Sequence, residues 1–203
     1  MCEVCVSTSF GQLHLSAHPG LKLFPGCTCK VTAAEAAAAA AYIATPHDAP
    51  LLFIAARQGH VGLIDALLRS GADVNQARTT DGATPLLIAA GSGHLAMVTK
   101  LIAAGALVNK ATTTHGSTPL FIAAENGHLT VVTELIAAGA LVDKARTTDN
   151  TTPLFMAAQN GHTAIVSKLL QHGADKSIRG FKNRTPLEAA QRKNHAAVVA
   201  LLA

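Results

Sequence analysis

A period of 34 residues constrains this chain more than any other feature. The segment Ala83 to His94 (ATPLLIAAGSGH) returns as Ser117 to His128 (STPLFIAAENGH) and as Thr151 to His162 (TTPLFMAAQNGH). More degenerate copies stand at Ala49 to His60 (APLLFIAARQGH) and Arg184 to His195 (RTPLEAAQRKNH). The five histidines fall at 60, 94, 128, 162 and 195, so successive copies are offset by 34, 34, 34 and 33 residues. Such a period marks short units that cannot bury their apolar faces alone and must stack on one another.

Each unit reads as two short helices. Thr84 is an N-cap residue, and Pro85 occupies the first helical position, where its missing N–H would have had no partner. Leu86, Ala89 and Ala90 then recur on one face, and Gly93 supplies the left-handed backbone that closes a helix. Leu95, Val98, Leu101 and Ile102 mark a second amphipathic helix, closed by Gly105. Neither helix is long enough to be stable alone in water. Composition agrees: 49% of residues are apolar but only 3% aromatic, with no Trp. Small and unbranched side chains let helices approach closely at little cost in rotamer entropy.

The full pattern is Thr-Pro-Leu-x-x-Ala-Ala-x-x-Gly-His, a Leu/Val helix, then Gly-Ala-x-Val-Asn/Asp. Over roughly residues 45–203 it resembles the ankyrin repeat. The resemblance implies an all-α fold, an ankyrin-repeat solenoid of about five helix-turn-helix repeats with projecting β-hairpin loops. The repeats run at about 49–82, 83–116, 117–150, 151–183 and 184–203. Phe53, Leu87, Phe121, Phe155 and Glu188 stand where the family often has His, so an apolar contact is expected there in place of a polar network. The loops 76–82 and 110–116 are one residue longer than the commonest repeat, with the extra residue expected at the hairpin tip. Asn150 replaces the glycine of Gly82 and Gly116, and since Asn tolerates a left-handed backbone the turn is expected to survive.

A stack must seal its ends. Glu188, Gln191, Arg192, Lys193 and Asn194 make the fifth copy polar, as for a C-terminal cap. Residues 1–31 read as a poorly ordered leader. Thr32 and Glu35 have capping-box spacing and open an alanine-rich helix, 32–44, expected to cover the first repeat.

Nothing in the motifs points to catalysis. There is no Gly-Lys-Ser/Thr phosphate loop, no Gly-x-Ser-x-Gly elbow and no His-Glu-x-x-His. The five repeated histidines occupy one structural position, which points to hydrogen bonding near the turn between the helices. Cys2, Cys5, Cys27 and Cys29, with His14 and His18, contain enough ligands for a tetrahedral zinc, but free thiols are the preferred reading and no metal or cofactor is expected. No run of about 20 apolar residues spans a membrane, and the start lacks the pattern of a secretion signal. The expectation is a cytoplasmic protein, with the nucleus as the alternative.

What remains is binding. Residues that vary between copies while the framework stays constant are the expected contacts: Arg57, Gln58, Ser92, Glu125, Asn126, Gln159 and Asn160 after the Ala-Ala pairs, and Thr80, Asp81, Thr114, His115, Thr148, Asp149, Phe181 and Lys182 at the hairpin tips. The resemblance places these on a concave groove that binds another protein. Arg78, Lys110, Lys144, Arg146, Lys176, Arg179, Lys182 and Arg184 in or near the loops favour an acidic partner. Nucleic acid is the alternative, weakened because no aromatic residues alternate with the basic ones. The chain is read as a monomeric adaptor or scaffold, or as one segment of a larger ankyrin protein.

Overall fold

The computed structural model describes residues 49–203. The leader, the alanine-rich helix and all four cysteines lie outside the described residues. Among the described residues ten α-helices follow one another in pairs: α1 (Leu51–Gln58) with α2 (Val61–Arg69), α3 (Pro85–Gly91) with α4 (Leu95–Ala103), α5 (Pro119–Asn126) with α6 (Leu129–Ala137), α7 (Pro153–Gln159) with α8 (Thr163–Gln171), and α9 (Pro186–Arg192) with α10 (Ala196–Leu202). One 3-10 turn, Phe181–Asn183, precedes α9.

The helix starts are written in the threonines. Thr84, Thr118, Thr152 and Thr185 each accept a bond from the backbone N–H three residues on, all at 3.2 Å. Each cap of this kind contributes about 1 kcal/mol. In the fifth repeat Glu188 returns a bond to the Thr185 N–H at 2.9 Å, which completes a capping box. That reciprocal bond explains why a carboxylate stands where the other copies carry Phe or Leu. Helix α1 begins instead after Pro50, without a side-chain cap.

The first helices pack on one another in order, and each second helix packs on its own first helix. A continuous core runs from Leu52 to Leu202 through the alanines of the first helices and the aliphatic residues of the second. In α4 the buried positions are Met97, Val98 and Leu101. Leu95, expected on that face, is 38% exposed at the helix N-terminus, with Leu129 its counterpart in the next repeat.

Each loop doubles back as a tight hairpin. The Arg78 N–H donates to Ala83 at 2.8 Å and the Gly82 N–H returns to Arg78 at 2.9 Å; the same pair of bonds recurs at Thr112 and Arg146. Neighbouring loops are joined by Thr113 N–H to Asp81 (2.8 Å) and Thr147 N–H to His115 (2.9 Å). One cross-loop bond per pair is too little to form a ladder. Among the described residues only an isolated antiparallel bridge, Gly180 with Arg184, has strand character. The expected β-hairpins are therefore turns without strands. Asn150 keeps the left-handed backbone expected of it, with φ of 57°.

Candidate binding surface

The repeated histidines fasten one repeat to the one before. The Nε2–H of His94, His128, His162 and His195 donates to the carbonyl of Arg57, Gly91, Glu125 and Gln159, at 3.1, 3.0, 3.1 and 3.0 Å. These acceptors lie in the last turn of the preceding first helix, whose final carbonyls have no partner within the helix. The Nδ2 of Asn126 and of Asn160 adds a second donor to the carbonyls of Gly91 and Glu125, both at 2.8 Å. Each imidazole also lies against a left-handed glycine: a Cβ on Gly127, φ 83°, would stand 2.7 Å from the His162 ring. Among the described residues no three His, Cys, Asp or Glu side chains converge as a metal site would require.

A second ladder runs below the second helices. Asn75 accepts from the Leu107 N–H at 2.8 Å and donates to the Gly105 carbonyl at 3.2 Å. Asn109 does the same with Leu141, 2.9 Å, and Gly139, 3.1 Å. Asp143 accepts from the Asp175 N–H at 3.0 Å but has no N–H to offer Gly173. Asp143→Asn is therefore expected to add one bond and raise stability by about 0.5–1 kcal/mol. A thermal melt against wild type checks it, and an unchanged or lowered midpoint refutes it.

The apolar position after Thr-Pro-Leu is paired with the start of its own loop. Phe53 lies under the Arg78 guanidinium at 5.0 Å, and Phe121 under Arg146 at 5.3 Å. In the second repeat Leu87 and Thr112 occupy the equivalent sequence positions, and Phe155 packs so close to Gly180 that a Cβ there would sit 3.3 Å from the ring. The two arginines also form ion pairs across their hairpins with Asp81 and Asp149. The Arg146 guanidinium, helped by the Thr151 hydroxyl and amide, holds the Asp149 carboxyl down to about 2. Because the folded state depresses this pKa, the pair stabilises the fold above the usual carboxylate range and loses that contribution as pH falls toward 2. The urea midpoint is expected to decline from pH 5 to 2 in wild type, and less steeply in an Asp149→Asn variant. Parallel declines would remove Asp149 as the cause.

These contacts sort the expected binding residues. Asp81 and Asp149 are half-buried in hairpin ion pairs, and Asn126 and Asn160 bond the preceding repeat. Thr114 shares its hydroxyl with His115 Nδ1 at 2.9 Å. Arg57, Gln58, Thr80 and Thr148 are exposed, and Ser92, Glu125 and Gln159 are half-buried. Phe181, 45% exposed, carries the Lys182 ammonium 5.3 Å from its ring, on backbone that is left-handed at Lys182 and Asn183.

Charge is concentrated at one end. In residues 163–203, Lys168, Lys176, Arg179, Lys182, Arg184, Arg192 and Lys193 face only Asp175 and Glu188, seven against two, a net of +5. The whole chain carries +4, so the rest sums to −1. Sequence reasoning treated the loops as one basic fringe; the ion pairs of Arg78 and Arg146 leave the excess on the fifth repeat and its approach.

No helix among the described residues is long and apolar enough to cross a membrane. A comparison with curated proteins gave no match. The family profile described as "Ankyrin repeats (3 copies)" matches residues 52–146 and again 140–203. That covers more than half of the chain and the same helix pairs, threonine caps and Gly-His fasteners described above. The chain belongs to the ankyrin-repeat family.

Proposed function

We propose that the chain is a protein–protein interaction module, an adaptor or scaffold that binds its partner along the groove of first helices and loop tips without catalysis. One observation carries this reading: surface positions differ from copy to copy while the packing, capping and fastening residues around them stay constant. Arg57, Glu125, Gln159 and Arg192 occupy one position in four of the five repeats and carry no inter-repeat side-chain bond. Diversity at surface positions on a constant framework supports recognition of a partner. Family modules of this kind generally bind other proteins. The excess of positive charge from residue 163 onward favours an acidic partner, steered to that end of the groove.

The test uses the immobilised chain and a variant carrying Arg57→Ala, Gln58→Ala, Thr148→Ala and Gln159→Ala. These side chains take no part in the inter-repeat bonds described above, so the melting temperature should hold. A partner captured by wild type is expected to be lost from the variant, and its association rate to fall as salt rises from about 50 to 500 mM. A partner retained equally by both moves the site off the groove.

A further inference from the structure

The copies differ along a second edge, in the turns that follow the second helices. Equivalent positions read Arg69-Ser70-Gly71-Ala72-Asp73, then Ala103-Ala104-Gly105-Ala106-Leu107, then Ala137-Ala138-Gly139-Ala140-Leu141, then Gln171-His172-Gly173-Ala174-Asp175. The first and fourth are polar and charged, whereas the two inner copies are apolar throughout. Packing does not require the change. Ala106, Ala140 and Ala174 are the buried members of their turns, while Leu107 and Leu141 are 54% and 56% exposed, and Ala103, Ala104 and Ala137 are exposed beside them.

The row is rigid as well as apolar. The backbone amides of Leu107, Leu141 and Asp175 each bond a side chain of the preceding repeat, Asn75, Asn109 and Asp143, at 2.8, 2.9 and 3.0 Å. A contiguous apolar patch with a polar rim marks an interaction surface. Asp73 and Asp175, both exposed, are the acidic members of that rim at the two ends, each also accepting a backbone N–H two residues on, and exposed Arg69 stands in the same turn as Asp73. Lys110 is turned away to the Asn75 carbonyl, 3.2 Å, whereas Lys144 is exposed.

Spacing and charge select the occupant. Successive positions in the row are one helix diameter apart, about 10 Å, which is also the rise of about seven residues in an α-helix. A second copy of this chain, paired about a two-fold axis, would bring Asp73 opposite Asp175 at both ends, like charge against like. The order acid, leucine, leucine, acid is instead complementary to base, apolar, apolar, base. We propose that this edge binds one amphipathic helix of a partner protein, with two apolar residues seven apart over Leu107 and Leu141. A basic residue seven further out on each side faces Asp73 and Asp175. The surface is separate from the groove and does not depend on it.

A labelled peptide of about 22 residues, roughly 30 Å long as a helix, tests the geometry directly. It carries Leu at positions 8 and 15, Lys at 1 and 22, and Ala or Gln elsewhere. It is titrated with the full chain and with the variant Leu107→Asp, Leu141→Asp. That variant installs the residue already found at Asp73 and Asp175, so the turns are kept, and a thermal melt verifies it. Saturable binding is expected, weakened about tenfold or more by the double variant and likewise by a peptide with Glu at both ends. Three results would overturn the proposal: no saturable binding to wild type, equal binding by the double variant, or equal affinity for the Glu-ended peptide. Sedimentation that shows a wild-type dimer abolished by the double variant would assign the edge to a second copy instead.

Discussion

Replacing Phe121 with alanine is expected to destabilise the chain by about 3–5 kcal/mol, the range for a fully buried aromatic ring cut to a methyl. Phe121 is 0% exposed and sits in a cluster with Phe155, Met156 and Ala189, so it touches the repeats that follow. Ile122 beside it reaches the matching cluster of Phe53, Ile54, Ala83 and Leu87 in the repeats before. Losing the ring opens a cavity between repeats and leaves the Arg146 guanidinium over a void. Phe121→Leu, which keeps an apolar side chain as at Leu87, should cost clearly less than the alanine variant. Urea unfolding of the three proteins checks both statements. A Phe121→Ala loss below about 1 kcal/mol would show that the ring is not the inter-repeat anchor described here.

The second large effect is expected at Gly116. Its φ of 71° lies in the left-handed region, where an L side chain costs about 1–2 kcal/mol. A Cβ there would also stand 2.6 Å from the Thr147 methyl and 2.9 Å from the Thr147 amide nitrogen. That amide joins the two loops through its 2.9 Å bond to the His115 carbonyl, so it cannot retreat without weakening the joint. Gly116→Ala is accordingly expected to cost about 2–3 kcal/mol in total. Gly105 provides the control: φ is 88°, but nothing lies within 4 Å of its would-be Cβ, so Gly105→Ala should carry the backbone cost alone. Equal losses at the two positions would mean that the loop contact contributes nothing.

The contrast at Asn150 shows where local patterns were readable and where they were not. Its left-handed backbone followed from the glycines at 82 and 116 and from what Asn tolerates. Why Asn is accepted there required the neighbour: the next loop is one residue shorter, and its Arg179 carbonyl accepts the Asn150 side chain at 3.0 Å. The helix pairs, their threonine starts and the structural use of the histidines were legible for the same reason, since caps and closing glycines act within a few residues of themselves. Partners about 34 residues away were not. Asn126 and Asn160 look like variable surface residues in the sequence, yet each bonds a carbonyl 35 residues back. Arg78 and Arg146 read as free basic charge until their own hairpins supplied Asp81 and Asp149. The exposed leucines at 107 and 141 were visible as a departure from Asp73 and Asp175, but only burial showed that they face outward.

The histidine fasteners point in one direction. Every donor belongs to the later repeat and every acceptor to the earlier one, a carbonyl already set by a finished helix. A pair of helices that docks on the C-terminal side of a folded repeat therefore brings its own clasp to it. Shortening the chain from the C-terminal side removes these clasps together with their imidazole donors, and the helix-end carbonyls they leave are open to water.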